Sequence, residues 1–350
     1  MRIKSQNTRI YVFIITNLLF SVIVPFKAFA TDSAVILMYH RFGESKYPTT
    51  NITVKQFKTH LSELKSNNYN VTPIPRIIAA VRNGKPLPPK TIGISIDDAY
   101  LSFYKIGAPL LLKNNFPYTI FVATDPLDKG APGYMSWGQL RELVKGGANI
   151  GSQTASHLHM PEASMHRNAF ELRKSNIRFK KELGKIPNMI AYPYGEFSLE
   201  VEKVSRDSGF TVGFGQHSGV IYQYSNFMYL PRFTFNESYG DLKRLRLAIR
   251  ALPLRIADLT PEDPYLSEQN NPPMFGFSLQ RKLMNRISQL ACYGSHKDKM
   301  RIELLGKTRV EVRGTRAFPP GRTRINCTLP EKDGRWRWLG MQFLVPKSLN

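Results

Sequence analysis

Cysteine is scarce in this chain: Cys292 and Cys327 are the two among 350 residues, and both come late. A disulfide-dense scaffold is therefore excluded. In an oxidising compartment the two read as one disulfide, which would contribute about 3–4 kcal/mol by closing a loop. Two free buried thiols are the alternative reading. Acidic residues are also few, 26 against 49 lysines and arginines, giving a formal charge of +23. Such a balance favours anionic partners: acidic glycans, lipopolysaccharide, phospholipid or nucleic acid. Internal repeats and low-complexity runs are absent as well.

No apolar run reaches the ~20 residues that cross a bilayer. The N-terminal one starts at Ile10 and is closed by Lys27. Arg2, Lys4 and Arg9 precede it, and Ala28-Phe29-Ala30 offers small residues at both recognition positions of a signal-peptidase site. Residues 1–30 therefore read as a signal peptide cut after Ala30, with a membrane anchor as the alternative. No cysteine adjoins the cut, which argues against a lipid anchor. Removing Arg2, Lys4, Arg9 and Lys27 lowers the charge from +23 to +19. Export to the periplasm or beyond makes nucleic acid the poorest of the four partners.

From Ala34 to Leu252 short apolar runs alternate with helical stretches. Strands are expected at Val35–Tyr39, Val71–Pro73, Thr91–Ile96, Tyr118–Ala123, Ala148–Gly151, Met189–Tyr192 and Thr211–Phe214. Thr53-Val54-Lys55-Gln56 has capping-box form, and Ser136 opens a second capped helix. Arg167–Leu183 reads as a longer, charged helix. Repeated strand–helix units imply parallel strands, hence an α/β barrel or a doubly wound sheet. Chemistry then belongs at the carboxyl ends of the strands. A division follows: a catalytic domain over 31–252 and a linker over 253–280, rich in proline (Pro253, Pro261, Pro264, Pro272, Pro273). A basic, small antiparallel β domain, sandwich-like, is expected over 281–350.

His40, Asp97-Asp98, Gln153 with His157, and Tyr194 each follow an expected strand. Hydrolysing an amide needs a water made nucleophilic and an oxyanion stabilised, which a divalent metal with His and carboxylate ligands can do. A carboxylate free of the metal can take the proton. Adjacent carboxylates at a strand end can divide these two tasks. Gln153 and His157, four apart, can be aimed by one turn at a single ion. An isolated Asp-Asp pair more often caps a helix, and a lone histidine is more often structural; His159 is read as structural.

Together, Asp97-Asp98 after an apolar strand, the Gln153–His157 cluster and Tyr192-Pro193-Tyr194-Gly195 resemble three ordered motifs of the polysaccharide deacetylases. Val35-Ile36-Leu37-Met38-Tyr39-His40 resembles an opening often seen there, and the resemblance runs from about Ala34 to Asn236. It implies a distorted (β/α) barrel with a zinc-like divalent metal. Asp97 would be the general base, and Asp98 and His157 would be metal ligands. Gln153 stands where the family has its other ligand histidine. The Tyr194 backbone N–H would meet the oxyanion, with Pro193 and Gly195 shaping the turn. His40, Tyr192, Pro193, Gly195 and Trp137 are expected around the substrate, with Tyr134 a further aromatic face.

The chain departs from the family at three places. Gln153 replaces a histidine, Ala191 stands where many members have an arginine orienting the base, and no Leu-x-x-His follows near Leu230-Pro231-Arg232-Phe233. The branch acting on β-1,6-linked poly-N-acetylglucosamine also lacks that arginine. His40 or His217 could supply the missing general acid. The expected activity is metal-dependent N-deacetylation of an N-acetylglucosamine-type polymer. An O-acetyl esterase and a catalytically silent glycan-binding protein are the alternatives. The basic C-terminal region would grip an anionic envelope polymer.

Overall fold

A computed structural model describes residues 30–295 and 300–347. The expected signal peptide lies outside the described residues except for Ala30. Among the described residues no helix is long and apolar enough to cross a membrane.

Six strands form the frame: β1 (Ser33–Tyr39), β2 (Thr91–Asp97), β3 (Thr119–Val122), β4 (Asn149–Ser152), β5 (Met189–Ala191) and β6 (Val212–Phe214). Every residue of β1 and β2 is buried, as expected for parallel strands covered on both faces. The strands pair in parallel and in chain order, β1-β2-β3-β4-β5-β6, without the reversal that defines a doubly wound sheet. The order therefore selects the barrel reading: a curled, half-barrel sheet. Both capping boxes form, Thr53 with Gln56 on α1 (Val54–Ser66) and Ser136 with Gln139 on α2 (Trp137–Lys145). The charged helix α3 (Met165–Leu183) bridges β4 and β5.

Irregular backbone closes the seam between β6 and β1. Gly213 N–H donates to Phe227 O, Leu230 N–H to Gly213 O, and Gly215 N–H to Leu230 O. A few residues on, Phe233 and Thr234 pair in parallel with Leu37 and Met38. Residues 227–235 thus stand where a barrel would have further strands.

Two four-stranded sheets follow. One has order β7 (Leu252–Pro253), β14 (Trp336–Val345), β13 (Gly321–Pro330), β10 (Ala291–Gly294). The other runs β8 (Ile256–Thr260), β9 (Phe275–Leu279), β12 (Arg309–Arg313), β11 (Arg301–Leu305). Phe275, Phe277 and Val310 of the second share one core with Ile325, Cys327 and Phe343 of the first. Cys292 and Cys327 are joined across β10 and β13. The stretch 253–280 is no plain linker, since it supplies β8 and β9. Pro261, Pro264, Pro272 and Pro273 lie between those strands, where a missing N–H costs no ladder bond.

Candidate active site

The strand ends bring the expected polar residues to one rim. Of nine non-glycine residues with positive φ among the described residues, five cluster there: Asp98, Ala99, Thr154, His157 and Tyr194. Each such conformation costs about 1–3 kcal/mol unless its surroundings hold it. The restraints are visible. Thr154 Oγ1 accepts from His157 N–H at 3.0 Å, and buried Glu171 on α3 accepts from Ser156 N–H at 2.7 Å. Asp125 N–H donates to Ala155 O at 2.8 Å. Gly195, with φ of +69°, approaches Gln216 so closely that a Cβ would lie 2.5 Å from its backbone nitrogen. Only glycine fits that contact.

Asp97, the last residue of β2, points into the barrel and is wholly buried beside Arg232. The guanidinium grips it with two parallel bonds, Nη1 to Oδ1 at 2.6 Å and Nη2 to Oδ2 at 2.9 Å. Arg232 also donates from Nε to Gly215 O and from Nη1 to Ser95 Oγ, and it lies near the rings of Phe121 and Phe214. A charge-assisted fork of this kind fixes the plane of a carboxylate. His40 Nε2 stands 3.9 Å from Asp97 Oδ2, on the same buried rim.

Asp98 faces elsewhere because its backbone has turned to φ of +72°. Its Oδ1 is buried without a hydrogen-bond partner, and His157 Nε2 stands 3.3 Å away. Burial opposes ionisation of Asp98, but the imidazoles of His157 and His40 outweigh it, so the carboxyl is held well below the usual carboxylate range. For His157, burial acts downward, yet Asp98 reverses it and the pKa is raised. A carboxylate oxygen and a ring nitrogen at this spacing match two neighbouring ligands of a four-coordinate zinc with bonds of ~2.0–2.1 Å. In that respect the pair suits a divalent ion. Gln153 is placed differently. Its Oε1 accepts the Asp98 N–H at 3.0 Å, leaving a buried, unpartnered Nε2 donor as the free end. Among the described residues no group of three or more His, Cys, Asp and Glu is placed to hold an ion.

Tyr194 projects its ring over the rim, edge-on to His157 at 4.6 Å and stacked on His159 at 4.0 Å. His159 Nδ1 lies 2.8 Å from Glu196, so it props the turn instead of reaching toward Asp98. Tyr134 packs against Tyr100, whose phenol in turn is close enough to Asp98 to favour its charge, and Arg41 covers Tyr100 at 3.4 Å. Two expected sugar platforms are not available as faces. Trp137 is buried in the core with its Nε1 donating to Asp128, and Tyr192 is wholly buried against Phe197. Both are large apolar rings that the core takes first. Pro193 is buried as well. His217 is packed on Tyr229, and burial, with the nearby Arg324 and Arg232 cations, pushes its pKa down to about 3. It stays neutral at ordinary pH, so of the two histidines considered as acids His40 is the one beside the carboxylates.

Arg232 is the functional residue that the sequence reading passed over. The signal it offered was an arginine between Pro231 and an apolar Phe233-Thr234 strand, where a fully buried cation demands a buried anion. Arg41 and Tyr100 were missed for want of any local pattern.

Comparison with known proteins places these features in a family. Residues 84–213 match the polysaccharide deacetylase family. A Bacillus subtilis protein assigned by name to the polysaccharide deacetylases is 26% identical over 179 residues, covering 51% of this chain and 62% of that one. The Staphylococcus epidermidis poly-β-1,6-N-acetyl-D-glucosamine N-deacetylase is 23% identical over 211 residues, 52% of this chain and 72% of the relative. Among solved structures, the Streptococcus pyogenes deacetylase PplD in complex with acetate superposes with a TM-score of 0.58 at 20% identity, covering 63% of this chain and 99% of its own. IcaB from Ammonifex degensii gives 0.56 at 22% identity, covering 63% and 98%. These two share the fold. The match over 84–213 takes in Asp97, Asp98, Gln153, His157 and Tyr194, so the rim lies within the stretch of this chain that is similar to the polysaccharide deacetylases.

Proposed function

We propose that this chain is an exported N-deacetylase of an N-acetylglucosamine-type polysaccharide. One observation carries the reading: the Asp97 carboxylate is locked by Arg232 beside a separate pair, Asp98 and His157, whose Oδ1 and Nε2 stand 3.3 Å apart. Asp98 and His157 would hold a divalent ion, zinc by ligand type, which when bound acidifies a water and polarises an acetamide carbonyl. Asp97 takes the proton from the attacking water, and the Arg232 fork keeps that carboxylate oriented. The Tyr194 backbone N–H donates to the developing oxyanion. His40, next to Asp97, returns a proton to the leaving amine. Gln153 holds Asp98 through its backbone and contributes no charge to the ion.

The name of the staphylococcal relative supports an N-acetylglucosamine polymer as the substrate class. The +23 charge supports an anionic envelope surface as the setting. The test is acetate release from acetylated glucosamine polymers by the purified chain, with and without chelator. Release that persists undiminished in chelator and in Asp97→Asn would overturn the mechanism. The two-residue ligand set favours a second reading, a glycan-binding protein without turnover. Stoichiometric zinc or another divalent ion after purification counts against it.

A further inference from the structure

The C-terminal β unit lies beyond the matched stretch 84–213, yet its side chains reach the candidate site. Gln342 on β14 donates from Nε2 to Tyr194 O at 3.1 Å. The Tyr229 hydroxyl lies 3.3 Å from both Gln342 O and Gly195 O, tying the same strand to the next residue of the turn. On β13, the Arg322 guanidinium sits 5.2 Å from the Tyr194 ring centroid and 3.8 Å from Glu196 Oε1. Tyr194 is therefore touched by His159 from its own domain and by Arg322 and Gln342 from the β unit.

This contact is close. Gly340, two residues before Gln342, lies so near Ser218 that a Cβ would fall 2.1 Å from its carbonyl oxygen. Trp338 on the same strand packs edge-on against Phe233 of the barrel seam at 5.4 Å. Leu252 and Pro253 add a parallel ladder to β14. A strand seated this closely can hold a strained backbone, and Tyr194, with φ of +60°, is such a backbone.

We infer that Gln342 and Arg322 are positioning residues of the deacetylase site: the β unit pins the Tyr194 turn in its left-handed conformation. Gln342 fixes the carbonyl of the peptide after Tyr194, and Arg322 holds the ring and Glu196 together. The inference rests on the reading that the Tyr194 N–H meets the oxyanion, but the pin itself is measurable without turnover.

Two measurements on the full chain separate the claims. Amide exchange over residues 192–197 should quicken about tenfold in Gln342→Met, with Arg322→Met, a change at a partly exposed side chain, giving a smaller increase in the same peptide. Unchanged exchange in both variants overturns the pin. Where wild type releases acetate, Gln342→Met should lower kcat about 10- to 100-fold with KM within twofold. In a Tyr194→Gly background, where left-handed backbone is nearly free of strain, the further loss should fall below about threefold. Equal losses in both backgrounds would show Gln342 acting elsewhere and overturn the inference. Faster exchange in the variants, together with a wild type that releases no acetate, leaves the pin standing and removes the deacetylase reading instead.

Discussion

The half-barrel and the C-terminal β unit are both strand frames, but they place their charges differently. In the half-barrel, Arg232 and Asp97 are wholly buried and fully paired, and five positive-φ residues crowd one rim. In the β unit no such wholly buried ion pair is found among the described residues: Arg335 and Asp333 pair in solvent, Arg309 and Arg313 reach Glu311 from partly exposed positions, and Asp258 is its one positive-φ residue outside glycine. One region stores strain and buried charge at a point; the other is a conventional sandwich with a disulfide through its core. The contrast sets the strand-end rim apart before any motif is invoked, since buried charge and held strain cluster at functional sites.

The sharpest way to break this comparison is at the base. Asp97→Asn should reduce acetate release about 10²- to 10⁴-fold, measured on an acetylated glucosamine polymer. It also leaves Arg232 buried without its counter-charge, so its urea midpoint should fall too. Next in size is the pair itself. Arg232→Met should destabilise the fold by about 3–5 kcal/mol, since it strands a buried carboxylate. Arg335→Met, at an exposed pair, should cost no more than about 1 kcal/mol. Equal urea midpoints for the two variants would show that the buried pair is not what sets the regions apart. A third change lies within the sandwich: Cys327→Ser should cost about 3–4 kcal/mol by freeing the loop back to Cys292, read in the same denaturation series under oxidising conditions.

The smallest effect is a pH dependence from buried histidines. Burial holds His60 neutral, its pKa lowered to about 4, between the Tyr39 hydroxyl and Gly240 O. His217 is likewise lowered, to about 3. Both values lie below the unfolded one, so the unfolded chain binds protons first as pH falls. Their contribution is fully present above pH ~6.5 and is lost on acidification toward the folded pKa values, up to about tenfold in the unfolding constant per pH unit per histidine. Unfolding midpoints at pH 7.5, 6 and 5 should decline, and His60→Gln should flatten the decline by one histidine's share. A slope unchanged by that substitution would remove His60 from the account.

Much of this was legible before any coordinates. Apolar runs bounded by turns placed the parallel strands within a residue or two, and both capping boxes formed where Thr53 and Ser136 announced them. The small antiparallel β region expected over 281–350 is there, with strands such as Arg301–Leu305. Asp97, Asp98, His157 and Tyr194 meet because each ends a strand of one parallel sheet or lies in the loop just after one, a rule of topology and not of local sequence. Arg232 was not legible for the opposite reason. It lies 135 residues from Asp97 on irregular backbone, and pairing across that distance leaves no periodic trace. Residues 253–280 misled because proline density suggests a linker even where the prolines merely bracket two strands. Trp137 and Tyr192 misled because an aromatic near a strand end serves the core as readily as a ligand.

The seam formed by residues 227–235 has one more consequence. Arg232 rides on the segment that zips β6 to β1, so the counter-ion of the base arrives only when the last gap in the wall is shut. Without that segment the buried Asp97 carboxylate loses both bonds of its fork. Closing the seam and seating Arg232 against Asp97 are therefore one arrangement of the chain, so a substitution that opens the 227–235 segment would reach the rim without touching any motif residue.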